Sequence, residues 1–566
     1  MLDPLAKLSS LMAGRTCSFR LSAVHPEEID KIISSLKNSS SFGLDLIDTR
    51  IIKLIQPEIL PALTHVINLS ISSKKFPDYW KAAKIIPLHK KDDLLNPKNY
   101  RPVAILPIFS KVLERSIFNQ ISKYLTENSL LHPNHHAYRP SHNTTSALIQ
   151  MYDTWVGAVD DGELSGACLL DMSAAFDIVD HPLLLQKLAL YGFDDGSLEW
   201  IHSYLSNRKQ CVSISGSLSK LLPVTTGVPQ GSILGPMFYT LFTNELPEII
   251  HDHPSTEQGS ESFPNYNTSC TTCGSIVCFA DDTTLSCSNN DPNTLSEELS
   301  AKFKLIAAFL VSNRLKLNDD KTHLLVLTTS QARRRAEADH VQISTPTADI
   351  VPSSSEKLLG AWIHQDLKWS EHLRDNQENL MRSLSTRLGA LKKLGRVASL
   401  RTRKMIANGV FMSKLSYLIS VWGGCEGYLL RSLQVIQNKV ARVVTKLPWY
   451  TPTSFLLSEC GWLSVRQLAM YHTVVLVYKV LETGTPSYLH SMFSRDYSYM
   501  TRQALQGMIK PSPSTKAPRK ELAAQSFRHR AVQEYNTLPP IIRQATTSSQ
   551  FKLLAKKWIM LNIPTD

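Results

Sequence analysis

The sequence predicts an α+β chain whose C-terminal third is mainly helical. Three observations lead there. Short apolar runs end on carboxylates, as in GACLLD (166–171) and IVCFA (276–280) followed by Asp281 and Asp282. Other stretches repeat apolar residues at helical spacing, and after about residue 370 that spacing takes over almost completely. A chain of 566 residues is too long for one core, and typical domain sizes divide it into about three or four units.

Residues 25–37 read as an amphipathic helix, with Pro26 in the first turn and Ile29, Ile32, Ile33 and Leu36 on one stripe. KIIPLH (84–89) and VAILPI (103–108) are apolar runs bounded by proline and read as strands, separated by the charged loop KKDDLLNPKNYRP. A helix over 294–313 buries Leu295, Leu299, Phe303, Ile306 and Leu310, and a strand follows at 323–328. Leu373, Leu380, Leu384, Leu388 and Leu391 mark one later helix; Leu433, Ile436, Val440 and Val443 mark another. Residues 508–522, basic and rich in Pro and Ser, read as a linker. Residues 251–275 form a polar insert between two apolar elements, and so long a loop is either functional or without fixed structure.

Apolar residues make up 43% of the chain, enough for real cores. Lys and Arg number 61 against 49 Asp and Glu, a net charge of +12 that suits a polyanionic partner. Composition alone fits a soluble basic protein equally well. No apolar run is long enough to span a bilayer, which speaks against a membrane partner, and the N-terminus has no clear cleavage site. The 9 cysteines are odd in number and scattered, which favours a reducing compartment over a disulfide framework.

The chemistry starts from Asp171, Asp281 and Asp282. Apolar strands that end on charge are costly unless the charge is paired. Two such strands side by side would gather three carboxylates, to be relieved by a raised pKa or by a divalent cation. Hard oxygen donors favour Mg²⁺, and two such ions support in-line phosphoryl or nucleotidyl transfer. An Asp-Asp pair taken alone reads equally as the start of a turn. A second signal is GVPQGSILGP (227–236), where Gly227, Gly231 and Gly235 permit close backbone approach to a ligand and Gln230 offers an amide. No Gly-Lys-Ser/Thr step is present, so this is not a nucleotide-binding P-loop.

LLDMSAAFDIVDH (169–181), GVPQGSILGP (227–236) and FADD (279–282), in that order, resemble the A, B and C motifs of reverse transcriptases from non-LTR retrotransposons of the jockey-like or chicken-repeat-like branch. The resemblance extends to KIIPLHKKDD (84–93) and NYRPVAILPIFSKVLERSI (99–117) as fingers, NRLKLNDDKTHLLVL (313–327) as motif D and KLLGAWIHQDLKWSEHL (357–373) as the primer grip. SYLISVWGG and LQVIQNKVARVV resemble the thumb, and residues 527–559 the usual C-terminal tail.

The resemblance implies a right-hand polymerase fold: an N-terminal helical extension (1–83), fingers (84–165), palm (166–369, with the 251–275 insert), helical thumb (370–448) and a C-terminal region (449–566). It implies an RNA-directed DNA polymerase that copies an RNA template onto a DNA primer or target from dNTPs. Asp171 and Asp281 would hold two Mg²⁺ ions, with Asp282 in support. Phe176 falls where the family keeps a steric gate against the ribose 2′-hydroxyl; an ordinary core Phe is the other reading. Gln230 and Gly231 would line the nascent base pair. Arg101, with Lys90 or Lys91, would grip the triphosphate, and a merely solvated charge run is the alternative for the lysines. Lys321 would be a proton donor to pyrophosphate. Nucleus and cytoplasm are the compartments implied.

HHAYRPSHNTTSAL (135–148) departs from the family's Gln-x-Gly-Phe-Arg pattern: Arg139 is kept, but Ala137-Tyr138 replaces Gly-Phe. In the insert, His251, His253, Cys270 and Cys273 offer a second reading, a zinc site of H-x-H and C-x₂-C type with Cys278 as a spare; a loop with idle thiols is the alternative. Relatives usually carry an apurinic-type endonuclease ahead of the polymerase, and the expectation here is one encoded elsewhere or lost, as in a truncated genomic copy. The competing readings are a catalytically inactive element protein that only binds nucleic acid, an RNA-dependent RNA polymerase, and a polymerase adopted by its host. Phe176 and the Ala-Asp-Asp form of motif C argue against the RNA polymerase.

Overall fold

The first strand forms where AAKIIPLH alternates inward and outward residues: Ala83 and Ile85 are buried, and the run becomes exposed at Leu88 and His89. In a computed structural model, which describes residues 3–90, 93–251, 274–318, 321–345, 348–394, 398–495, 507–512 and 517–565, the chain divides into two compact units. One comprises Met1–Tyr138, Asp171–Phe263 and Lys304–Lys321; the other comprises Arg139–Leu170, Pro264–Phe303 and Thr322–Asp566.

In the first unit, Ala82–His89 pairs antiparallel with Tyr100–Ile105 and parallel with Arg208–Ile214, which also carries Ser217–Leu218 and Leu222–Val224. The helix Pro26–Ser35 turns Ile29, Ile32 and Ile33 inward, as its periodicity predicts, and packs on Gln56–Ser72 and Ile108–Glu127. The 103–108 run is only half strand. It pairs as far as Ile105, because Pro107 (φ −50°, ψ 142°) then starts the helix Ile108–Glu127. Within this unit Lys187 is fully buried in an ion pair with Glu245 and also donates to the Phe242 carbonyl at 2.6 Å.

The second unit is built on an antiparallel sheet in the order Ser275–Phe279, Asp282–Asn289, Leu164–Leu170, His323–Leu327. Leu324, Leu325, Val326 and Leu327 are all fully buried, so this strand is covered on both faces. The helix Thr144–Asp161 is fixed by a capping box between Asn143 and Ser146 and ends at Gly162 (φ +97°). Gly166 is needed for packing: a Cβ there would lie 2.6 Å from Leu299 Cδ1, on the predicted buried stripe of the helix Pro292–Ser312. The hairpin Ser355–Leu358/Ala361–His364 and the helices Leu380–Leu394, Gly427–Thr445, Val465–Thr483 and Ser548–Asn562 complete one continuous core.

Two expectations need correction. Leu373 does not share a helix with Leu380, although both are buried. It lies on the turn Glu371–Asp375, which stops at Asn376 (ψ 154°); Asn379 then caps a new helix by accepting from the Arg382 N–H at 2.7 Å. The stretch 508–522 is not simply a linker. Ile509 is buried, Lys510–Pro511 pairs with Phe493–Ser494, and the N–H groups of Arg519 and Lys520 donate to Asp160 at 2.9 and 2.7 Å. Residues 513–516 lie outside the described residues.

Candidate active site

Asp171 follows the last residue of the strand Leu164–Leu170 and is half-buried. Leu170, the residue before it, pairs with Thr283, the residue after Asp282. The Asp171 carboxylate is held by the loop after the long helix: Asn318 Nδ2 donates to Oδ2 at 3.0 Å, and Lys321 Nζ lies 3.5 Å from the same oxygen. The Asn318 N–H also donates to the Asp171 carbonyl at 2.9 Å. Lys321, expected as a proton donor, is thus paired with Asp171.

Asp281 and Asp282 sit at the tip of a hairpin. Phe279 pairs with Asp282, which leaves Ala280 and Asp281 as a two-residue turn. Ala280 takes φ +56°, a conformation that costs an L-residue about 1–2 kcal/mol. Asp281 is half-buried and Asp282 exposed. Among the described residues, no three His, Cys, Asp or Glu side chains gather closely enough to form a metal-holding group by themselves.

Residues 227–236 are bound to the strand edge and the turn beside them. Gly227 (φ +80°) and Gly231 (φ +123°) need their missing side chains. A Cβ on Gly227 would lie 2.5 Å from the Asp177 carbonyl oxygen, and one on Gly231 2.3 Å from that of Ala104. At both positions the missing side chain leaves room for the chain's own backbone. Ala104 N–H donates to the Gln230 carbonyl at 2.7 Å, and Val228 N–H to the Phe176 carbonyl at 2.7 Å. The Gln230 amide faces the Asp177 carboxylate at 3.4 Å.

Phe176 is half-buried and belongs to an aromatic row. Its ring stacks on Tyr239 (centroids 4.8 Å apart, 30°) and meets Tyr138 edge-on at 6.5 Å. Tyr239 in turn donates to Met172 Sδ at 3.1 Å. The departure at Tyr138 thus adds a neighbour to Phe176.

Arg101 lies on the strand Tyr100–Ile105 opposite Leu88, with its side chain exposed. Lys90 is exposed just past the neighbouring strand, and Lys91 lies outside the described residues. Of the zinc set only His251 is described, at the end of the short helix Leu246–His251; His253, Cys270 and Cys273 lie outside. Cys278 is no spare ligand: it is buried in the sheet, where burial pushes its thiol up to about 12.

Three residues were missed by reading the sequence: Asn318, Asp177 and above all Glu114. Glu114 is fully buried in the helix Ile108–Glu127 and accepts from Ile233 N–H (2.7 Å), Leu234 N–H (3.2 Å), Ser110 Oγ (2.8 Å) and Tyr204 OH (3.3 Å). It holds the first turn of the helix Leu234–Phe242, which ends the glycine-rich loop. The signal was available: Glu114 lies on the stripe Ser110, Ile117, Ile121, where an acidic group needs partners.

Comparison with known proteins agrees with the motifs. The family model described as reverse transcriptase (RNA-dependent DNA polymerase) matches residues 88–365. The chain is 27% identical over 82% of its length to a probable RNA-directed DNA polymerase from transposon BS of Drosophila melanogaster, covering 49% of that protein. It is 27% identical over 77% of its length to the RNA-directed DNA polymerase from mobile element jockey of the same species, covering 45%. A probable RNA-directed DNA polymerase from transposon X-element, also of that species, is 24% identical over 76% of the chain. The chain spans about half the length of the curated relatives it matches. No helix among the described residues is long and apolar enough to cross a membrane. The resemblance read from the three motifs is borne out: residues 88–365 match the reverse transcriptase model, and relatives similar over most of the chain carry the names of RNA-directed DNA polymerases of mobile elements.

Proposed function

We propose that the chain is the RNA-directed DNA polymerase of a non-LTR retrotransposon, with fingers, palm and thumb, extending a primer 3′-hydroxyl with dNTPs on an RNA template. The observation that carries this is the family match over residues 88–365, which spans Asp171, Asp281 and Asp282. The strands Leu164–Leu170 and Asp282–Asn289, one running up to Asp171 and the other starting at Asp282, are neighbours in one sheet.

The donor set fits a hard divalent cation, since it is all carboxylate oxygen and the nearby Cys278 thiol is buried and protonated. Asp171 and Asp281 would hold two Mg²⁺ ions with Asp282 in support, and the triphosphate would complete the ligands. When bound, the ions supply activation of the 3′-hydroxyl and stabilisation of the leaving pyrophosphate. Asn318 orients Asp171, and Lys321 Nζ, 3.5 Å from Asp171, is available to balance charge or donate a proton. Arg101 and Lys90, with Lys91, grip the triphosphate. Gln230 and Gly231 support the nascent base pair, and Phe176, backed by Tyr239, excludes a 2′-hydroxyl. The protein contributes positioning and charge more than covalent chemistry.

Primer extension on an RNA template with Mg²⁺ tests this, comparing the intact protein with Asp281→Ala and supplying either dNTPs or rNTPs. Extension that requires dNTPs and disappears in the variant supports the proposal. A folded protein that binds the template yet extends nothing overturns it in favour of binding alone.

A further inference from the structure

The helix Gly427–Thr445 ends at Lys446 in the left-handed region (φ +62°), and the chain then turns at Pro448–Thr451, closed by a 3.2 Å bond from Thr451 N–H to the Pro448 carbonyl. The two central residues of that turn are Trp449 and Tyr450. Their side chains are not packed away: Trp449 is 82% and Tyr450 70% exposed. Their rings lie 6.0 Å apart at 81°, an edge-to-face pair at the exposed tip of the turn. The turn is held firmly. Arg442 Nη2 donates to the Trp449 carbonyl at 3.0 Å, and Asn438 Nδ2 to Thr453 Oγ1 at 3.0 Å, with Pro448 and Pro452 bracketing the pair.

Large exposed aromatics are costly to leave in water and mark contact surfaces. What kind of surface is decided by charge. The helix and turn carry Arg431, Lys439, Arg442 and Lys446 between residues 427 and 452, and not one Asp or Glu. Lys439 and Arg442 lie three residues apart on one helix face, and Lys446 follows at the helix C-cap. A basic stripe leading to rigid, exposed rings suits a strand whose phosphates are anionic and whose bases are unpaired. An apolar protein partner would leave these cations uncompensated, and a duplex keeps its bases stacked on each other.

We propose that Trp449 and Tyr450, with the cations of the Gly427–Thr445 helix, form a stacking platform for single-stranded nucleic acid. This rests on the polymerase reading only in that the chain handles nucleic acid. Because the turn is pre-set, little ordering entropy opposes stacking.

The test measures binding of a fluorescent 15-nucleotide oligouridylate, and of a hairpin duplex, to the full chain. Trp449→Ala combined with Tyr450→Ala is expected to weaken oligouridylate binding roughly tenfold or more, with duplex binding little changed. Trp449→Phe with Tyr450→Phe is expected to restore it. Lys439→Gln is expected to lower the slope of log affinity against log salt by about 0.7. A double alanine variant that binds oligouridylate within twofold of the intact chain overturns the platform, as does an equal loss on the duplex. Primer extension by the same samples separates the two readings. Weakened binding without extension by any form leaves the platform standing and the polymerase reading lost; extension with unchanged binding does the reverse.

Discussion

The carboxylate of Glu114 accepts the backbone N–H of Ile233 at 2.7 Å, tying the middle of one helix to the first turn of another. Because the same group also takes Leu234 N–H, the end of the glycine-rich loop is fixed by a residue more than a hundred positions earlier in the chain.

Removing that carboxylate takes the acceptor from the N–H groups of Ile233 and Leu234 and from the Ser110 and Tyr204 hydroxyls. Glu114→Ala is expected to lose about 2–3 kcal/mol of stability, and Glu114→Gln, which keeps one oxygen, about 1 kcal/mol. Urea denaturation midpoints read the ranking; equal losses would mean the oxygens are not the anchor.

Ala280 is strained at φ +56° beside Asp281. Ala280→Gly removes the Cβ conflict at some entropic cost and is expected to stabilise by about 0.5–1 kcal/mol. Ala280→Val is expected to destabilise by about 1 kcal/mol or more, since a branched side chain resists the left-handed region further. Thermal unfolding of the three forms gives the order directly.

Phe176 is held by stacking on Tyr239 at 4.8 Å. If it gates the ribose, Phe176→Ala opens that space, and discrimination between dNTP and rNTP should fall by about tenfold or more. Competing incorporation from mixed nucleotides measures the ratio; an unchanged ratio would return Phe176 to the status of a packing residue.

His372 is buried, and burial, reinforced by the ammonium groups of Lys414 and Lys357, pushes its imidazole down to about 4. In this window the unfolded chain takes up a proton that the folded chain refuses. Stability from this group is full above the ordinary value near 6.5 and falls as pH drops toward 4, by about 3 kcal/mol at most. Denaturation from pH 7 to 4 should show that slope flattened in His372→Gln.

Much was legible in the sequence because period and composition report local structure. The stripe from Leu295 to Leu310 became a buried helix face, and the runs ending at Leu170 and Phe279 became neighbours of one strand in one sheet. Motif order pointed to the family whose model matches residues 88–365. Boundaries failed where capping competed with periodicity: Leu373 continues the leucine spacing, but the Asn376 and Asn379 side chains break the helix. Ile509 could not be recognised as buried, since its Asn536 partner lies 27 residues away.

The sequence by itself determined Asp171, Asp281 and Asp282 as candidate site carboxylates, the glycine positions and the basic character, because these depend on residue type and local order. Only the tertiary structure decided what each touches. The glycines at 227 and 231 make room for the chain's own carbonyls; Asp171 is held by Asn318; Glu114 serves a helix it never meets in sequence. Hydrogen bonds act over about 3 Å, whatever the separation along the chain, so their partners are set by packing and not by spacing.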